Sequence, residues 1–179
     1  MSRIPTLMLW IALAVLAAVA YGIVNDQITA TISPDYFSVF KRAQFAPVLE
    51  HTGMTDSPTR VQALVVGAMS TWWYGLFLGI VLGISGMVGR GTPLSTRRYL
   101  VALARVLAMT LGVSVVCGTV AYLAEPSIKP GPTHWPFLAG IRDVRGAFAV
   151  GWWHNGAYVG ALVATVIESL RVQYQRRLS

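Results

Sequence analysis

Four long apolar runs, at about residues 7–24, 61–88, 99–124 and 146–170, are separated by shorter polar stretches. A helix needs roughly 20 mostly apolar residues to cross the hydrocarbon of a bilayer, and only helices and closed barrels satisfy their backbone there. The pattern predicts an all-α polytopic membrane protein, a four-transmembrane-helix bundle, with 1–179 as a single membrane domain. Between the first two runs, Ser33-Pro34-Asp35 reads as an N-cap, a proline at the first helical position and an acid in the first turn. Beyond it Tyr36, Phe37, Val39, Phe40 and Ala43 fall on one side and Asp35, Ser38, Lys41 and Arg42 on the other. A short interfacial amphipathic helix at about 34–44 follows, on the outer face, with Phe37 and Phe40 towards lipid or the helices and Lys41 and Arg42 towards water or phosphate. Pro126, Pro130, Pro132 and Pro136 break the other outer loop, so 125–135 is expected to be irregular.

Close approach of helices in lipid depends on small residues, and each run carries a stripe of them. Ala14, Ala18 and Gly22 line the first; Gly75, Gly79 and Gly83 the second; Ser114 and Gly118 the third; Gly156, Gly160 and Ala164 the fourth. The stripes predict a self-contained bundle. Cys117 is the one cysteine, which excludes a disulfide framework and reads as a small packing residue.

The chain is 55% apolar and 12% charged, well under the roughly 25% charge of soluble domains. Its net charge of +7 does not come from a basic cluster with interleaved aromatics, so no nucleic-acid partner is expected. The charge instead orients the chain. Arg3, Arg90, Arg97, Arg98, Arg105, Arg171, Arg176 and Arg177 flank one set of span ends, with Glu168 as their one acid. Lys41, Arg42, Arg60, Lys129, Arg142 and Arg145 on the other side are balanced by six acids. Short cytoplasmic loops retain Lys and Arg, so both termini face the cytoplasm of a bacterial inner membrane. Ala18-Val19-Ala20 would serve as a signal-peptidase site, but the apolar run is longer than a signal h-region and Arg3 makes a thin n-region. The first helix is therefore read as uncleaved. Arg105 lies two turns inside the third span; it either snorkels to the headgroups or pairs with Glu168 at similar depth.

Polar groups gather at the outer level. Asn25, Asp26, Gln27 and Thr29 end the first run, Trp72, Trp73 and Tyr74 sit in the second, and His154, Asn155 and Tyr158 lie in the fourth. Ionisable residues at membrane depth are costly and raise a functional hypothesis. The candidate outer-face pocket comprises Asp26, Gln27, Thr29, Tyr36, Trp72, Trp73, His154, Asn155 and Tyr158. His154 and Tyr158 share a helix face, and Asp26 would stabilise an imidazolium. The same groups equally read as interhelical hydrogen bonds, and the tryptophan pairs as an interfacial belt. His51, His134 and His154 have no short ligand spacing, so neither a metal nor a cofactor is expected. Nucleotide-binding, nucleophile-elbow and HExxH motifs are absent from the sequence.

The string Tyr21-Gly22-Ile23-Val24-Asn25-Asp26-Gln27-Ile28-Thr29, followed by Ser33-Pro34-Asp35-Tyr36-Phe37, Phe40-Lys41 and Gln44-Phe45, resembles the signature of an uncharacterised family of small bacterial integral membrane proteins with four helices. Arg60, Trp72-Trp73 with Gly75, and His154-Asn155 with Tyr158 and Gly160 are similar to that family's other recurrent positions. Asp35 and Ser38 depart from it, standing where the family carries Glu and Thr. The resemblance implies a bacterial membrane protein and brings no activity with it.

Three functional classes remain open on the sequence. The first is an accessory or binding protein whose outer-leaflet pocket holds a lipid headgroup, a small ligand or a partner helix. The second is a small membrane enzyme or proton-coupled carrier using Asp26 and His154 as acid and base, and the third is a structural subunit of a membrane complex.

Overall fold

A computed structural model describes residues 3–88 and 91–178, which leaves Arg90, one of the arginines expected on the cytoplasmic side, outside the described residues. Within them the chain is all-helical. The long helices are α1 (Arg3–Ile32), α4 (Thr59–Met87), α5 (Thr96–Ile128) and α6 (Val144–Arg177). The short α2 (Arg42–Gln44) and α3 (Ala46–His51) lie between α1 and α4. By length and composition α1, α4 and α5 can each cross a membrane. The first helix continues eight residues past its apolar run, which places Asn25, Asp26 and Thr29 on the helical face that also buries Gly22.

The long helices pack as two antiparallel pairs, α1 with α4 and α5 with α6. Small residues set the approach in both. A Cβ on Gly22 would run into the Gly67 carbonyl oxygen, and one on Gly75 would lie 2.7 Å from the Val15 Cα. In the second pair Gly118 faces Trp153 and Ala149, while Gly156 and Gly160 face Cys117 and Val113. The pairs meet mainly along α4 and α6, with little direct contact between α1 and α5.

At one end, Trp10 of α1 stacks on Tyr99 of α5 with ring centroids 4.6 Å apart. The Tyr99 hydroxyl donates to the Trp10 carbonyl at 2.8 Å, and the Trp10 indole donates to the Thr96 hydroxyl at 3.2 Å. There too the buried Arg176 guanidinium donates to the carbonyls of Ser85 and Val88, at 2.8 and 2.6 Å, and to that of Thr92 at 3.0 Å. A cation on the last carbonyls of α4 complements the helix dipole. Gly91 passes so close to the Arg176 backbone, at φ +94°, that no side chain fits. Midway along, the Tyr74 and Thr165 hydroxyls meet at 2.6 Å and those of Tyr21 and Ser114 at 3.5 Å. Arg105 pairs with the buried Glu168 at 3.7 Å, as one of its two sequence readings has it, and Arg171 shares that carboxylate at 3.5 Å.

Two loop expectations change. The helix α5 runs through Pro126 to Ile128 rather than ending in an irregular stretch from 125. Proline at 126 removes the donor for the Tyr122 carbonyl four residues back. Arg145 supplies it instead, donating from Nε at 2.9 Å while its guanidinium lies 3.9 Å over the Tyr122 ring. The helix then closes on Lys129, left-handed at φ 48°. In the loop after α1, Ser33 accepts from the Tyr36 amide at 3.4 Å, as an N-cap does, but the turn that follows at Tyr36–Lys41 is π-helical. About 4.4 residues per turn put Lys41, five residues on, back on the face of Tyr36 and Phe37. Lys41 is therefore buried with them rather than turned to water or phosphate, while Arg42 stays half-exposed and lies 3.9 Å from Asp56.

Gly22→Ala should push α1 off α4 and cost about 1–3 kcal/mol of stability, the usual range for overpacking. Gly112→Ala, with nothing within 4 Å of its new Cβ, should cost nothing. Unfolding in detergent with increasing dodecyl sulfate reads the difference, and equal stability of the two variants would show the α1–α4 contact to be wrong.

Candidate functional site

The C-terminal part of α1 and the N-terminal part of α6 face each other through side chains that carry charge or hydrogen bonds. Asp26 (2% exposed) and His154 (9% exposed) approach to 4.0 Å between Oδ1 and Nε2. That separation is longer than a hydrogen bond, and the contact is an ion pair only when the imidazole is protonated. The second carboxylate oxygen of Asp26 and Nε2 of His154 are both buried without a hydrogen-bond partner among the described residues. Asn25 braces the carboxylate from its own helix, donating to Oδ1 at 3.4 Å, and its amide oxygen accepts from the Trp153 indole at 2.8 Å. Adjacent residues on α1 thus grip adjacent residues on α6.

The turn at Tyr36–Lys41 closes this pair from outside. The Tyr36 ring stacks on the His154 imidazole, centroids 5.6 Å apart and planes 14° off parallel, and Phe37 meets the same imidazole edge-on at 6.3 Å. Phe40 and Phe137 complete an aromatic lid around Tyr36. The Lys41 ammonium lies 5.3 Å from the Phe45 ring centroid and 6.0 Å from that of Tyr36. Burial pushes its pKa down, and the Asp26 carboxylate partly opposes that by favouring the charged form. The phenol of Tyr36 is pushed up, first by burial and then by the negative charges of Asp26 and Tyr158. The lid is anchored sideways: Asp35 accepts from the backbone amides of Arg142 and Asp143 at 3.2 and 3.4 Å. Asp143 in turn caps α6 by accepting from Gly146 at 3.0 Å.

Of the residues expected in the pocket, Asp26, Tyr36 and His154 come together and Tyr158 borders them. Thr29 is buried beside Asp26 but spends its hydroxyl on the Asn25 carbonyl at 2.9 Å. Gln27, one residue and so about 100° round the helix from Asp26, points away. It donates to the Arg60 carbonyl at 2.9 Å and receives Arg60 on its own carbonyl at 2.6 Å, outside the site. Asn155 is carried to the exposed side by the same rotation relative to His154. Trp72 lies on the outside of α4, and Trp73 stacks with the half-exposed Tyr158 at 6.4 Å, at the margin of the cluster. Lys41, Asn25, Trp153 and Phe37 belong to the site although they stood outside the expected set. The Asn25-Asp26 doublet was the signal for one of them; Lys41 required the π-turn.

Chemically, three ionisable groups from three separate segments share one buried cluster in which two polar atoms, Asp26 Oδ2 and His154 Nε2, are unfilled. Such an arrangement can accept a hydroxyl that donates to the carboxylate and engages the imidazole, or pass a proton between them. Compared with protein-family models, curated proteins and solved structures, the chain finds no match.

Diethylpyrocarbonate should modify the exposed His51 and His134 in the folded protein much faster than His154. Tyr36→Ala should bring the His154 rate up towards theirs, read by peptide mass spectrometry. Equal rates in the unaltered protein would contradict the lid.

Proposed function

We propose that the protein is a four-span binding protein of a bacterial inner membrane, with both termini cytoplasmic, and that its outer-side cluster holds a polar ligand between Asp26 and His154. The ligand class is a hydroxyl-bearing lipid headgroup or small molecule. The observation that carries this reading is the pair of unfilled buried atoms, Asp26 Oδ2 and His154 Nε2, on side chains that approach to 4.0 Å under an aromatic lid. Unpaired polar atoms cost roughly 1–3 kcal/mol each when buried, so a site that keeps two of them is built for something that satisfies both.

Support for a fourth span comes from α6 itself. Its 34 residues reach about 51 Å at 1.5 Å per residue, and it lies antiparallel along α5 for most of that length. A helix paired so closely with a spanning neighbour crosses at the same depth. Its mean hydropathy is lowered by His154, Asn155, Thr165, Glu168 and Ser169, and all of these but Asn155 are buried between helices. The turn at 36–41 would then rest at the outer interface, with Lys41 drawn inward. The bacterial setting rests on the resemblance noted from the sequence, together with the arginine-rich ends of the spans.

Use of Asp26 and His154 as acid and base is the second reading, favoured by their 4.0 Å approach. Transport fits less well. The small cavity next along the helices, about 40 Å³, is walled by Ala18, Leu107, Ala157 and Ala161, and the Tyr74 and Thr110 hydroxyls that border it are bonded to Thr165 and to the Val106 carbonyl.

Native mass spectrometry of the protein extracted from its own membrane should show a retained adduct that is lost from both Asp26→Asn and His154→Gln while the variants remain folded. An adduct retained equally by both variants, or none on the unaltered protein, would overturn the binding reading.

A further inference from the structure

At the opposite end of the molecule a cavity of about 580 Å³ opens between the start of α5 and the end of α6, lined by Ser95, Arg97, Arg98, Arg105, Gln175 and Leu178 together with Val101. Arg98, Val101 and Arg105 follow one another at i, i+3 and i+7, one face of α5, with the arginines about 10.5 Å apart along the axis. Long side chains from both ends of that stripe reach a common centre. Among the described residues Arg97 and Arg98 make no ion pair, and Arg105 shares the single Glu168 carboxylate with Arg171 at distances too long for hydrogen bonds. Four guanidiniums against one carboxylate leave an excess of three positive charges. The start of α5 lies at the same place, its Arg98 amide capped by the Ser95 hydroxyl at 3.4 Å, with the positive end of the helix dipole towards the cavity.

We propose that this cavity binds a phosphate ester, held between Arg97, Arg98 and Arg105. A tetrahedral phosphate offers enough oxygens to receive three guanidinium forks at once, which a carboxylate with two oxygens does not. All three cations are arginine, the side chain whose planar fork matches phosphate in pairs. The exposed Val101 and Leu178 at the rim give an apolar wall beside the charge, as the first carbons of a membrane phospholipid require. A soluble phosphate monoester carries the same headgroup chemistry without that tail.

Delipidated protein in neutral detergent separates the sources. Phosphatidylglycerol, phosphatidylcholine and glycerol 3-phosphate are each titrated and followed by native mass spectrometry, with Arg97→Gln/Arg98→Gln as the test variant and Arg3→Gln as a charge control. Phosphatidylglycerol should bind the unaltered protein, weaken by about tenfold or more in the double variant as charged hydrogen bonds are lost, and remain unchanged in Arg3→Gln. Arg98→Lys, which keeps the charge and removes the fork, should fall between them. Glycerol 3-phosphate binding as tightly and competing would assign the site to a soluble phosphate ester instead of a lipid. No binding of either anionic ligand, equal binding of phosphatidylcholine, or an equal loss in Arg3→Gln would overturn the proposal. Binding in detergent does not depend on which side of the membrane the cavity faces, nor on the outer-side site.

Discussion

The cost of burying charge organises the outer half of this molecule. Asp26 and His154 stand 4.0 Å apart with almost no exposure, and neither would be stable there alone. Each comes from a different antiparallel helix pair, so their contact bridges a seam where α1 and α6 have little backbone contact. Lys41 brings an ammonium from a third segment to the Asp26 carboxylate, and the π-turn is what lets it do so. Tyr36 and Phe37 then exclude water from the imidazole, which strengthens every electrostatic contact beneath them.

The same economy recurs at the other end with different chemistry. Trp10 stacked on Tyr99 and Arg176 wrapped around the end of α4 join the pairs without leaving polar atoms open. The contacts of Trp10, Tyr99 and Arg176 are thus saturated, whereas buried polar atoms stay unfilled at Asp26 and His154 and, further along α6, at Glu168 and Ser169. The aromatic lid over Asp26 and His154 is the reason for assigning ligand binding to that cluster and treating the Arg176 network as structural. The arginine-lined cavity beside it differs again, because Arg97 and Arg98 are exposed and make no ion pair among the described residues, while Arg105 shares the Glu168 carboxylate with Arg171.

Much of the architecture was legible in the apolar runs and small-residue stripes. Gly22, Gly75, Gly118, Gly156 and Gly160 all lie at close helix contacts, and the Ser33 cap bonds as its spacing suggested. The juxtaposition of Asp26 and His154 was inferred from shared depth, from the small-residue contact faces of their helices and from the cost of leaving either group unpaired near lipid. What sequence could not supply was rotation. Gln27 and Asn155 neighbour the true site residues in the chain, and a 100° step turns each away from it. A π-turn leaves no periodic trace in six residues, so Lys41 looked solvent-facing. Pro126 read as a helix breaker because the compensating donor, Arg145, is distant in sequence and reaches the freed carbonyl only in the folded chain.

The central claim is that Asp26, His154 and Lys41 form one electrostatic unit closing the outer seam. A double-mutant cycle on Asp26→Asn and Lys41→Met, read as unfolding free energy in detergent, tests it most directly. Coupled buried charges should give a double variant more stable than the sum of the single losses by about 1–3 kcal/mol. Additivity within about 0.5 kcal/mol would mean that the two groups do not sense each other, and would contradict the account.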